Sequence, residues 1–338
     1  MAAPLPTGTI VLGTYRVENP PHRDGPCLVY PALHLQHGVA VALRVLAPES
    51  VVTLSLHARF SQAAQAAARL RGPHVAHVLD AGVLPDGAPC LAAELAPGPS
   101  LADELARRGA LAPSEAVDYA LQICDALAEA GALGVVHREL QLGQIVVSCW
   151  PDGRPLLRVR DVGLDKALAL AASAPGPPAL VAPEQRRTPD LVDARTDVWA
   201  LGVVLHELLT GTHPFRAATP QATMQRVLAT EPPTLRTRAG VGDDLAAVVG
   251  HALEKSRLRR YATMTALHDD LQAVLAGRPV SVRLPTTGER FVRWVAREPW
   301  QATALLVLAG GAVVAGSAFL LASRRADENQ RLATAEAT

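Results

Sequence analysis

The sequence predicts an α+β fold of two lobes, a small sheet-rich one followed by a larger helical one, with a single transmembrane helix behind them. Three observations predict it. Short β-prone runs alternate with turn residues before residue 97, apolar residues recur at helical spacing from residue 101 to 275, and residues 302–322 form an almost unbroken apolar run. The boundaries that follow are an N-terminal extension at 1–12, a small lobe at 13–96, a helical lobe at 97–277, a juxtamembrane segment at 278–300, the span at 301–323 and a short polar tail at 324–338.

In the small lobe, short β-prone runs occur through 15–47 among turn-forming Pro, Gly and Asp, and residues 27–30 and 39–45 carry the strongest strand signals. An alanine-rich helix is expected at 58–70, then strand-like runs at 75–79 and 90–95. Helices are expected at 101–108, 113–130, 220–228, 243–253 and 263–275, with short strands and exposed loops within 135–147 and 156–162. The central helix lies in 194–215, where Val198, Leu201, Val204, Leu205, Leu208 and Leu209 share a face that Trp199 and Val203 widen. Asp197 is expected as its N-cap and Gly211 as its stop. The cleft between the lobes is the expected site.

Lysine plus arginine balance aspartate plus glutamate, 32 against 32, so charge gives no reason to expect a nucleic-acid partner. Cys27, Cys90, Cys124 and Cys149 lack metal-ligand or disulfide-framework spacing. The first ten residues contain neither a basic region nor an apolar run, so no signal peptide is expected. Residues 302–322 exceed the ~20 needed to cross a bilayer, with Trp294 and Trp300 suited to one interface and Arg324 and Arg325 to the other. Gly311 with Ala315, and Ala312 with Gly316, would permit close pairing of two spans and hence a homodimer. Residues 278–300 interleave arginines with Phe291, Trp294 and Val295, a pattern suited to a helix lying partly among headgroups.

Five segments occur in an informative order: VALRVL at 41–46, HRELQLGQ at 137–144, DVG at 161–163, APEQ at 182–185 and DVWALGVVLHELLTG at 197–211. Together they resemble the signature set of protein kinases, closest in style to bacterial membrane-bound serine/threonine kinases of eukaryotic type. The resemblance covers about 13–277 and implies the bilobal kinase fold. It also implies that Asp197 holds the catalytic-loop backbone, that Glu184 and Arg260 form the ion pair tying the activation segment to the helical lobe, and that Arg138 stands ready beside that segment.

At the catalytic positions the resemblance implies losses. His22, Asp24 and Cys27 stand at the three glycine positions of the phosphate loop, leaving Gly25 as its glycine; a loop that also carries Pro20, Pro21 and Pro26 is stiff, and Asp24 repels polyphosphate. Arg44 replaces the strand lysine, with a planar fork in place of a point charge. Ala63 replaces the helical glutamate, and helix 58–70 has no acid, so any ion pair to Arg44 must come from another segment. Glu139 replaces the base aspartate, Gln141 the following lysine and Gln144 the metal-binding asparagine. Misplacing a carboxylate by about 1 Å can cost on the order of 100-fold. Asp161 is the one intact metal-binding acid. Ala93, Glu94 and Ala96 fall where the family's nucleotide pocket and its connecting backbone lie. The 167–182 segment has no threonine, and Ser173 is its one hydroxyl.

The expectation is therefore a catalytically inactive, pseudokinase-like signalling or scaffold protein, single-pass in the bacterial cytoplasmic membrane with its main domain in the cytoplasm. It would work through a protein partner, such as an active kinase, and bind magnesium-ATP weakly or not at all. The alternatives are an atypical serine/threonine kinase and a kinase-fold sensor of a small ligand.

Overall fold

The computed structural model describes residues 4–24, 27–47, 54–164, 181–188, 191–236, 238, 240–283, 295, 300, 303 and 315–318. The chain divides into two units, Met1–Leu284 and Pro285–Thr338. Among the described residues no helix is long and apolar enough to cross a membrane. The expected span at 302–322 lies outside them except for Thr303 and residues 315–318, which are helical. Gly25, Ser173, most of 167–182 and most of 285–300 also lie outside the described residues.

The small lobe is an antiparallel sheet. Its strands are β1 (Ile10–Val11), β2 (Tyr15–Val17), β3 (His22–Asp24), β4 (Cys27–His34), β5 (Val39–Leu46), β6 (Val78–Val83) and β7 (Pro89–Glu94), in the order β1-β2-β4-β5-β7-β6 with β3 also on β4. The sheet thus reaches back to Ile10, inside the expected N-terminal extension, and Leu5 packs against its core. The run expected as a strand from 75 begins at Val78; Val75 makes only an isolated bridge to Val159. Period-two alternation along β5 sends Val41, Leu43 and Val45 into the sheet's own core and turns Ala42 and Arg44 to the other face. Helix α1 (Leu54–Ala67) starts earlier than expected and packs Phe60, Ala64 and Ala67 against Cys27, Leu46 and Leu91.

The helical lobe contains α2 (Leu101–Arg108), α3 (Pro113–Ala132), the hairpin β8 (Ile145–Cys149) and β9 (Pro155–Val159), then α4 (Pro183–Arg187), α5 (Ala194–Thr210), α6 (Pro220–Ala229), α7 (Asp243–Ala252) and α8 (Met264–Leu275). Helix α5 is buried on almost every side, as its pattern requires. Its N-cap, however, is Asp193, whose carboxylate accepts from the Arg195 N–H at 3.0 Å. Asp197 lies one turn inside the helix and is free to serve elsewhere. Gly211 ends the helix at φ 74, a left-handed conformation that costs glycine little. Beyond α8, residues 278–283 are not a bare linker: Val280 and Val282 pack on the helical core, and Ser281 hydrogen-bonds Asp270.

Candidate nucleotide cleft and its ion cluster

Sheet register builds the roof of the cleft. Val29 and Leu91 flank Arg44 on the neighbouring strands, and Ala42 lies beside Ala93. The cavity beneath has a volume of about 100 Å³ and is lined by His22, Val29, Ala42, Arg44, Ala67, Leu70, Val78, Ala93, Glu94 and Ala96 from the small lobe side, with Arg160, Asp161 and Val162 opposite.

Arg44 is buried and dominates the polar chemistry. It donates to the Asp161 carboxylate at 2.8 Å and to the Asp24 carboxylate at 3.0 Å. Its side chain and that of Asp161 are only 7% and 9% exposed, so water screens that pair weakly, whereas Asp24 is 48% exposed. Arg160 adds a second guanidinium 3.8 Å from Asp161. The ion pair that α1 lacks is thus supplied by the loop strand β3 and by the 161–163 segment. Asp24 lies in this cluster because β3 pairs with β4 in a register that sets Asp24 opposite Cys27.

The remaining predicted positions separate. His22 lines the cavity, and so do Ala93, Glu94 and Ala96. Cys27 does not: it is fully buried in the apolar layer between sheet and α1. Ala63 also packs against that layer, and the α1 residues that reach the cavity are Ala67 and, just beyond the helix, Leu70. Glu94 is held at the cavity edge, since its N–H donates to the His77 carbonyl at 2.8 Å and its carboxylate pairs with Arg158 and His77.

The 137–144 loop is fixed from below. Asp197 accepts from the His137 N–H at 2.8 Å and the Arg138 N–H at 2.9 Å. Arg138 has φ 75 and Asp161 φ 64, conformations that a non-glycine residue holds only where its surroundings compensate. Two further contacts supply that support. The His137 Nε2–H donates to the Arg160 carbonyl at 3.0 Å, and Gln185 Nε2 donates to the Arg138 carbonyl at 3.0 Å while its Oε1 accepts from the Ala182 N–H. Gln185 was visible in APEQ but has no spacing signal of its own; only the fold brings it to Arg138. Glu139 is half-buried, and burial pushes its carboxyl above the usual carboxylate range, with His137 pulling it down and Asp24 pushing it up. Gln141 is exposed at the start of the 3-10 turn Leu142–Gln144, and the Gln144 Oε1 is buried without a hydrogen-bond partner among the described residues.

Glu184 and Arg260 form a buried two-point ion pair at 2.6 and 2.7 Å. Thr196 donates to the same carboxylate, and the Arg260 guanidinium also donates to the carbonyls of Arg195 and Glu254 and lies over the Trp199 ring. Among the described residues no group of three or more His, Cys, Asp or Glu side chains is placed to hold a metal ion.

An antiparallel small lobe, a helical lobe organised on α5, and a cleft between them carrying Arg44, Asp161 and the 137–144 loop define a protein-kinase type of domain. The family model for the protein kinase domain matches residues 26–271, and the chain belongs to that family. Serine/threonine-protein kinase PknB of Mycolicibacterium smegmatis is 34% identical over 262 residues, covering 74% of this chain and 41% of that protein. Serine/threonine-protein kinase pkn3 of Myxococcus xanthus is 32% identical over 279 residues, covering 79% and 51%. The chain therefore spans about half, or less, of these curated relatives. The crystal structure of the PknI kinase domain of Mycobacterium tuberculosis superposes with a TM-score of 0.63 at 24% identity, over 81% of this chain and 99% of that one, and shares the fold.

Proposed function

We propose that this protein is a pseudokinase: a kinase-fold protein that does not transfer phosphate and acts by contact with a protein partner. The observation that carries the reading is the Arg44 cluster. The side chain that should meet phosphate is engaged by two carboxylates, one of them Asp161, the acid on which a metal would depend. Magnesium-bound triphosphate needs a glycine cradle, a cation free to reach its phosphates and at least two oxygen ligands aimed at the metal. Here Asp24 is an acid where the cradle should be, and Gln144 offers a neutral oxygen on a longer arm. This donor set does not fit the group, and no phosphoryl-transfer step is derived through it. Weak or absent magnesium-ATP binding belongs to the same proposal.

The anchor is proposed on the apolar run 302–322 with its flanking tryptophans and arginines. It places the kinase-like domain on the cytoplasmic side of a bacterial inner membrane, where an active kinase is a fitting partner and the small-residue pairs permit a homodimer. Deleting 302–322 is expected to move the protein from the membrane to the soluble fraction; unchanged membrane recovery would remove the anchor.

A second reading, an atypical serine/threonine kinase, is favoured by Glu139, whose raised proton affinity suits a base, and by the curated relatives, which are named as kinases. The two separate in one assay. Purified full-length protein in detergent is incubated with radiolabelled ATP, magnesium or manganese, and a mixed protein substrate that includes the protein itself. The pseudokinase reading expects no incorporation above a no-enzyme control. Metal-dependent labelling of serine or threonine that disappears in both Asp161→Ala and Glu139→Ala would sink it.

A further inference from the structure

Asp270 is a buried carboxylate on α8, and its hydrogen-bond partners among the described residues are neutral donors. Its Oδ2 accepts from the Tyr261 hydroxyl at 2.7 Å and from the Ser281 hydroxyl at 2.8 Å; its Oδ1 accepts from the Ser281 N–H at 2.8 Å. Asp270 and Tyr261 are 5% and 4% exposed, whereas Ser281 is exposed. Elsewhere in the segment the Arg278 N–H donates to the Ala273 carbonyl at 2.8 Å, and Val280 and Val282 are half-buried on the core. One exposed serine therefore fastens a short strap through a buried acid. The strap leads directly to Pro285, where the second unit begins.

We infer that Ser281 is a phosphorylation site, and that its modification by an active serine/threonine kinase releases residues 278–283 from the helical lobe. Ser281 is exposed at the surface, and Arg278 and Arg283 flank it in the sequence, a charge pattern that an acidic substrate groove would recognise. In the step, the Ser281 Oγ–phosphorus bond forms, the bond from the γ-phosphorus to the bridging oxygen of ADP breaks, and the hydroxyl proton passes to the kinase's base. Oγ then ceases to be a donor, and a group of charge about −2 stands against the Asp270 carboxylate, where burial keeps screening low. Release of the six residues would free a stretch of chain that spans up to roughly 20 Å when extended. The inference holds whether or not this chain transfers phosphate itself, because the phosphate is supplied by another enzyme.

The test uses the full-length chain in detergent in four forms: unmodified, with phosphoserine incorporated at 281, Ser281→Ala, and phosphoserine at 281 combined with Asp270→Asn. Hydrogen exchange of the 280–283 amides and tryptic cleavage after Arg283 report docking. Phosphoserine is expected to accelerate both at least about tenfold, Ser281→Ala by about threefold or less, and the Asp270→Asn background to cut the phosphoserine effect most of the way back. A phosphoserine chain that exchanges like the alanine variant, or one held in place by Arg278 and Arg283, would overturn the release. Absence of phosphate on Ser281 in mass spectra of the protein from growing cells, together with its absence after incubation with the kinase domain of PknB and ATP, would overturn the modification.

Discussion

Arg44 and Asp161 lie 117 positions apart in the chain and meet at 2.8 Å in the cleft. The pair lies in a poorly screened place, and Asp24 closes the cluster from the loop strand at 3.0 Å. The cleft thus neutralises internally the two groups through which a kinase would hold nucleotide and metal.

Asp24 is the removable member of that cluster, because it is the most exposed and Asp161 alone can still pair Arg44. Asp24→Asn is expected to tighten ATP binding about tenfold, equivalent to ~1.4 kcal/mol, by removing a negative charge from the cleft that would repel the phosphates. Titration calorimetry of the two proteins side by side measures this. Equal or weaker binding by the variant would show that Asp24 does not guard the cleft.

Glu184 and Arg260 should behave as a buried pair. Truncating one leaves the other charge in the interior, so Glu184→Ala or Arg260→Ala is expected to cost about 3–5 kcal/mol in urea unfolding. Replacing both by apolar residues should cost less than the sum of the single changes. Burial alone would raise the Glu184 carboxyl, but the Arg260 and Thr196 hydrogen bonds outweigh it and hold it below its ordinary 4.5. The pair's contribution is therefore present above pH 4.5 and is lost as pH falls below that value.

Two groups, the half-buried Glu207 near the end of α5 and the buried His213 just beyond it, oppose each other with pH. Burial pushes the Glu207 carboxyl from 4.5 up to about 7, so its contribution to stability declines as pH rises through that interval. Burial and the nearby His206 and Arg216 charges pull the His213 imidazole from 6.5 down to about 4, so its contribution rises with pH between those values. The Phe215 N–H donates to His213 Nδ1 at 3.1 Å, consistent with a neutral ring. Relative to the unmodified chain, Glu207→Gln is expected to gain about 3 kcal/mol of stability between pH 4.5 and 7, and His213→Asn to lose a comparable amount over pH 4 to 6.5. Melting temperatures across that range check both slopes, and parallel curves for variant and parent would refute the assignment.

Gly98 lies between the cavity edge and α2 at φ 128, and a Cβ there would fall on the Val147 carbonyl. Gly98→Ala is expected to destabilise by about 2–4 kcal/mol, since both the conformation and the contact are backbone and neither can relax as a side chain would. A change within ~0.5 kcal/mol by urea unfolding would mean that the α2 connection shifts freely.

The sequence by itself determined the lobes, the helices and the buried supports. Helix periodicity is local, which is why 101–108 appeared as α2 with the observed ends and why α5 was visible as a helix buried all round. Asp197, Glu184 and Arg260 were legible because their motifs survive intact, and they occupy the supporting positions that the resemblance implied. The capping of α5 was misplaced by one turn, because Asp193 and Asp197 are equally good acids by type and only backbone geometry selects between them. Tertiary structure alone decided that Asp24 faces Arg44, that Cys27 and Ala63 turn away from the cavity, that Gln185 clasps the Arg138 carbonyl, and that Ser281 reaches Asp270. These relationships depend on strand register and on the packing of segments distant in the chain, and a charge in a turn carries no mark of the partner that folding will bring to it.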